Sequence, residues 1–185
     1  MTKELEVKVL NIDVDRMQEK IISLGGKLVA IEKQINTLLD NLEKPIKSYL
    51  DAYLRIREME EEISGKKEIT LTLKEKILNE SLRENIEYNV TLEEKDNILN
   101  IFGKLGFKVV DVGFKDRRSY SFKKARIDID IWDDKTYPFP YMEIEVEQED
   151  DLEEIITLLD IPRENISRLS IVELQQKLKE GKDVK

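Results

Sequence analysis

Glu4-Leu5-Glu6-Val7-Lys8-Val9-Leu10 alternates charged and apolar side chains with a period of two, which is the pattern of a β-strand with one charged and one apolar face. The same alternation returns at Tyr53–Arg57, Lys67–Lys74, Arg83–Thr91, Ala125–Trp132 and Tyr141–Glu147. Lys27 to Asp40 reads as extended, Glu58 to Lys66 as an acidic loop, and Phe107 to Phe122 as one long strand or two short ones. Asp13 to Leu24 carries an N-cap candidate and helical apolar spacing that stops at Gly25-Gly26. Further helices are expected over Glu93 to Leu105, Leu152 to Leu159 and Ser170 to Lys179. About eight strands with short connections predict an α+β fold: a closed antiparallel eight-stranded β-barrel with flanking α-helices. No repeat or linker divides the chain, so residues 1–185 are expected to form a single domain.

Composition removes many chemistries. The chain has 185 residues with neither cysteine nor histidine. Thiol nucleophiles, iron–sulfur clusters, histidine triads and histidine-ligated metals are therefore excluded, leaving carboxylates, Lys, Tyr and metal-activated water. Forty acidic against 31 basic side chains give a net charge of −9, which argues against a nucleic-acid polymer as partner. The charged N-terminus lacks the apolar core of a signal peptide and no apolar stretch reaches membrane-spanning length, so a cytoplasmic protein without a membrane partner is expected, monomeric or homodimeric.

The polar faces of the strands are unusual because they are mostly charged: Glu4, Glu6, Lys8; Arg55, Arg57; Lys74; Arg83, Glu87; Lys115, Arg117; Arg126, Asp128, Asp130; Glu143, Glu145, Glu147. Turned inward, this face would set carboxylates from the first and last strands against cations from the strands between. Buried charge is costly unless paired or met by a ligand. Clustered carboxylates suit a hard cation such as Mg²⁺ or Mn²⁺, and a ring of Arg and Lys suits a polyanion. Metal and cations together are what phosphoryl transfer needs, and the implied ligand is a triphosphate.

Glu4-Leu-Glu6-Val-Lys8 resembles the E-x-E-x-K signature of the CYTH family, the triphosphate tunnel metalloenzymes. The companions follow in order: Arg55-Ile-Arg57, Thr70-Leu-Thr-Leu-Lys74, Glu87-Tyr88, Lys115-Asp-Arg117, Arg126-Ile-Asp-Ile-Asp130 and Glu143-Ile-Glu145. The resemblance spans nearly the whole chain. It implies that Glu4, Glu6, Asp130, Glu143 and Glu145 bind the metal, Asp130 being preferred to Asp128. It further implies that Lys8, Arg55, Arg57, Lys74, Lys115, Arg117 and Arg126 bind the triphosphate, and that Glu4, Glu6, Lys8 and Glu87 serve catalysis, with Glu87 one layer behind the metal.

Two reactions fit. One is metal-dependent hydrolysis of the terminal phosphoanhydride of tripolyphosphate, thiamine triphosphate or ATP. The alternative is a class IV-type adenylyl cyclase converting ATP to cyclic AMP and pyrophosphate. Cyclase members of the family often carry a Leu-Gly turn before E-x-E, where this chain has Trp132-Asp-Asp-Lys-Thr-Tyr-Pro-Phe-Pro. A noncatalytic anion-binding module is the third reading, and clustered carboxylates argue against it. The acidic runs at Glu58–Glu62 and Glu147–Glu154 read as solvated, and Trp132, Tyr137 and Tyr141 as packing around the Pro138–Pro140 loop.

Overall fold

The computed structural model describes the backbone of residues 2–77 and 83–181, and the side chains of 5–76 and 85–181. Nine strands and four helices follow in the order β1 (Thr2–Val9), α1 (Val14–Ser23), β2 (Lys27–Asn41), β3 (Ala52–Glu61), β4 (Lys67–Ile77), β5 (Arg83–Leu92), α2 (Asp96–Lys104), β6 (Phe107–Phe122), β7 (Ala125–Trp132), β8 (Tyr141–Val146), α3 (Glu149–Leu159), β9 (Ile166–Ser167) and α4 (Ile171–Lys179). The strands form one antiparallel sheet in the order β5-β4-β3-β2-β6-β7-β8-β1-β9, with β5 also pairing to β1.

That arrangement corrects the expectation of a closed eight-stranded barrel. One edge of β1 is taken by β8 over Leu5–Val9. Its other edge is divided: β5 pairs with Thr2–Glu6 and β9 with Lys8–Val9. The eight long strands therefore curl round and meet over only five of the eight residues of β1, and a ninth strand of two residues takes Lys8 and Val9. A further correction concerns Glu58–Glu61, expected in a loop: β3 runs on to Glu61, which pairs with Glu32 on β2.

The apolar parity of the sheet faces outward onto the helices, reversing the usual arrangement in which a sheet curls around an apolar interior. Val7, Val9, Ile127, Ile129, Met142 and Ile144 pack with Ile21 of α1 and Leu152, Ile155, Ile156 and Leu159 of α3. Burying each such side chain contributes about 1.5–3 kcal/mol, so this side of the sheet anchors the fold. A second cluster places Leu39, Leu54 and Ile56 beneath Ile98, Leu99 and Phe102 of α2. With the apolar residues committed to the outside, the polar parity is left to line the interior.

The last helix stops one end of that interior. Ser170 accepts from the Glu173 backbone N–H while the Glu173 carboxylate accepts from the Ser170 N–H, a capping box that fixes where α4 begins. Lys76 of β4 meets Glu173 at 3.3 Å, and Gln175 donates to the Thr136 carbonyl at 2.9 Å. No helix of the described residues is long and apolar enough to cross a membrane.

Candidate functional site

A cavity of about 220 Å³ lies on the polar face of the curled sheet. Its walls include Glu6, Lys8, Arg55, Arg57, Lys74, Glu87, Lys115, Arg117, Arg126, Glu143 and Glu145, while the first turn of α4, from Ser170 to Val172, closes one side. These side chains meet because strand register aligns them. Glu6 pairs with Glu145 across β1 and β8, and Arg126 lies on the same rung. Lys8, Glu143 and Asp128 form the next rung. Asn36 pairs with Arg57, Leu38 with Arg55, and Tyr53, Lys74 and Glu87 share one rung across β3, β4 and β5.

Of the expected metal ligands, Glu4 has its side chain outside the described residues, although its backbone pairs with Asn85. Asp130 does not line the cavity: it is completely buried, with Lys115 at 2.9 Å and both Arg117 Nε and Nη2 at 2.6 Å. The cause is register, since Arg117 stands directly opposite Asp130 on β6 and covers it. The neighbouring carboxylate, Asp128, reaches the cavity wall instead, held by Arg117 at 2.6 Å and Arg126 at 2.9 Å.

On the β1, β7 and β8 side, acids and bases are interleaved rather than separated into two sets. Glu143 takes Lys8 at 2.8 Å and Arg117 at 2.7 Å. Burial alone would push its carboxyl up, but Lys8, Arg117 and Lys115 outweigh that and hold it well below the usual carboxylate range. Asp130 is likewise lowered against its burial by Arg117 and Lys115. Lys74 bridges Glu87 at 2.7 Å and Glu6 at 3.4 Å, and Asn85 donates to Glu6 at 3.2 Å. Among the described residues no three carboxylates converge as a ready metal site. The donor chemistry nevertheless fits a hard divalent cation: Glu6 and Glu145 face each other as a directly opposed like-charge pair, an arrangement that costs free energy unless a cation lies between.

The β2 and β3 side differs. Neither Arg55 nor Arg57 ion-pairs with a carboxylate among the described residues; Arg57 Nε donates to the neutral Asn36 Oδ1 at 3.0 Å, and Arg55 Nε is buried without a partner. Burial together with the charges of Arg55 and Arg117 pulls Arg57 down to about 9. Lys115, pulled down to about 7, is lowered by burial and by Arg117 despite its contact with Asp130. Cations crowded and desolvated in this way are stabilised by an incoming anion.

Sequence reading missed Asn36, Gln34, Asn85, Asp111 and Tyr53 as parts of this interior. Tyr53 and Asn85 had a signal, each lying two residues before a charged residue of its parity, Arg55 and Glu87; the β2 residues lacked one because their stretch mixes apolar and polar side chains. Trp132 and Tyr141 pack with Tyr137 and Phe139 at the proline loop, as expected, and also line the cavity: Trp132 Nε1 donates to the Tyr141 hydroxyl at 2.8 Å, and Lys115 and Lys8 lie over their respective rings at 5.2 and 5.6 Å. Burial, with Asp130 and Glu143 nearby, raises the Tyr141 hydroxyl well above its ordinary value, so it stays protonated. Gly113 makes room for this wall, because a Cβ there would come within 2.6 Å of Thr136 Oγ1 and 2.9 Å of the Trp132 ring.

Similar proteins share this architecture. A structure of the PH1819 protein from Pyrococcus horikoshii superposes with a TM-score of 0.78 at 24% identity, covering 95% of this chain and 99% of that one. A structure from Hippeastrum, titled as a "putative adenylyl cyclase" that "reveals a dominant" triphosphatase activity, superposes at 0.68 with 14% identity, covering 100% and 98%. A Methanocaldococcus jannaschii protein named "Putative adenylate cyclase" is 28% identical over 181 residues, covering 93% of this chain and 98% of its own. The family profile described as the CYTH domain matches residues 2–170, and the chain belongs to the CYTH domain family.

Proposed function

We propose that this protein is a divalent-metal-dependent triphosphatase that binds a triphosphate along the cavity and hydrolyses its terminal phosphoanhydride. The observation that carries the reading is the pair Arg55 and Arg57, desolvated and without a carboxylate partner among the described residues, with Lys115 crowded by Arg57 and Arg117 beside them although it also meets Asp130. Their charges match the oxygens of a polyphosphate, with the Arg forks taking two oxygens each. Lys8, Lys74, Arg117 and Arg126 are already engaged by carboxylates and would shift toward the ligand as it enters. Glu6 and Glu145, with Glu143 and Asp128 on the next rung and Glu4 on the same parity of β1, would hold Mg²⁺ or Mn²⁺, which supplies charge neutralisation at the phosphoryl oxygens. In hydrolysis water forms a bond to the terminal phosphorus, the bridging P–O bond breaks, and a cavity carboxylate or amine accepts the water proton, no imidazole being present. The site is expected to work in the cytoplasm.

The class IV-type cyclase is the second reading, favoured by the name of the M. jannaschii relative and by the Tyr53, Trp132 and Tyr141 rings in the cavity wall. Phosphorus NMR of the protein with Mg²⁺ or Mn²⁺ and, separately, tripolyphosphate, thiamine triphosphate and ATP separates the two. Orthophosphate release is the expected result, with the rates ranking the substrates; pyrophosphate with cyclic AMP would overturn hydrolysis in favour of cyclisation. Glu145→Gln and Glu4→Gln are expected to abolish metal-dependent turnover.

A further inference from the structure

The inward face of β2 carries two primary amides, and each has an open valence whose chemical sense is fixed. Asn36 is 3% exposed and lines the cavity. Its Oδ1 accepts from Arg57 Nε at 3.0 Å, and since a guanidinium can only donate, the amide cannot be turned the other way. Nδ2 is therefore left as the free end, buried with no hydrogen-bond partner. Gln34, two residues earlier and 2% exposed, shows the opposite polarity: its Nε2 donates to the Glu32 carboxylate, and Oε1 is the buried atom without a partner. A buried N–H without an acceptor costs free energy, and such atoms are rare in folded proteins. At Asn36 the open donor lies beside Arg57 on β3 and opposite Gly113 on β6, and both of these neighbours line the same cavity.

We propose that Asn36 is a phosphate-binding residue of this site: its Nδ2 donates to a non-bridging oxygen of the bound triphosphate while its Oδ1 holds Arg57 toward that same ligand. This rests on the triphosphate reading and adds a neutral donor to it. A neutral amide adds recognition without further crowding the cations of this wall, which a third guanidinium beside Arg55 and Arg57 would do. The orientation also makes the site intolerant of the nearly isosteric acid, because a carboxylate at residue 36 would serve Arg57 as well as the amide does and yet repel the ligand.

Calorimetric titration of the intact protein with tripolyphosphate, with thermal unfolding of the same samples, tests the proposal. Asn36→Asp is expected to weaken binding about 100-fold or more while leaving Tm unchanged or raised, because the Arg57 contact becomes an ion pair. Asn36→Ala is expected to weaken it about tenfold. Combination with Arg57→Ala separates direct contact from action through the guanidinium. If Asn36 touches the ligand, Asn36→Ala still weakens binding in the Arg57→Ala background; if that second substitution changes nothing, Asn36 only positions Arg57 and direct donation is overturned. Wild-type protein that fails to bind tripolyphosphate overturns the triphosphate reading as well, whereas wild-type binding matched by Asn36→Asp overturns the Asn36 proposal alone.

Discussion

On β7 and β8 the acids Asp128, Asp130 and Glu143 each have a cation within 3 Å, whereas on β3 the cations Arg55 and Arg57 have no carboxylate among the described residues. The first wall is electrostatically satisfied without a ligand, and the second is not. A folded chain retains crowded, desolvated cations only at a cost, so the same side chains should act oppositely on stability and on binding in the two walls.

Arg117→Met tests the satisfied wall and carries the largest expected effect. It leaves Asp128, Asp130 and Glu143 without their shared guanidinium, and unfolding by denaturant should show a loss of about 3–5 kcal/mol. A change below 1 kcal/mol would mean that this wall is not held by its ion pairs. Arg57→Ala probes the other wall with the opposite sign. Tripolyphosphate affinity should fall about 100-fold, as for a lost charge-assisted contact, while the ligand-free protein keeps or gains stability. Lower stability together with unchanged affinity would place Arg57 outside the binding wall.

The smallest effect is on pH dependence. Lys115 has its folded value lowered to about 7 against roughly 10.4 in an unfolded chain, so between those values the unfolded state binds more protons. Stability of the ligand-free protein should then rise with pH above about 7, by at most about 1.4 kcal/mol per pH unit from this residue. A bound anion should restore the proton, so titrations in buffers of different ionisation enthalpy should report proton uptake near pH 8. Lys115→Met should remove both effects, and a slope that survives it assigns them to another group.

Much of the site was legible because strand alternation is strict. Arg55 and Arg57, or Glu143 and Glu145, must share a face once the strand is recognised, and their charges mark that face as unusual. Register was not legible. Asp128 and Asp130 have the same parity, and only the alignment of β6 against β7, which sets Arg117 opposite Asp130, sends one to the wall and buries the other. The incomplete meeting of β5 with β1 is likewise hidden, because strand count does not say how far two edge strands overlap, and a two-residue β9 carries no periodic signal.

By itself the sequence determined the long strands and the helices, the charged parity and, through the absence of cysteine and histidine, the kinds of chemistry available. Those properties are local: they follow from side-chain type and from a repeat of two or 3.6 residues. Tertiary structure decided that the charged face turns inward, because three helices cover the apolar face, and that acids and bases interleave rather than separate. It also decided which donors remain open, since pairing within a cavity depends on which strands meet and in what register, distances that no single stretch of chain contains.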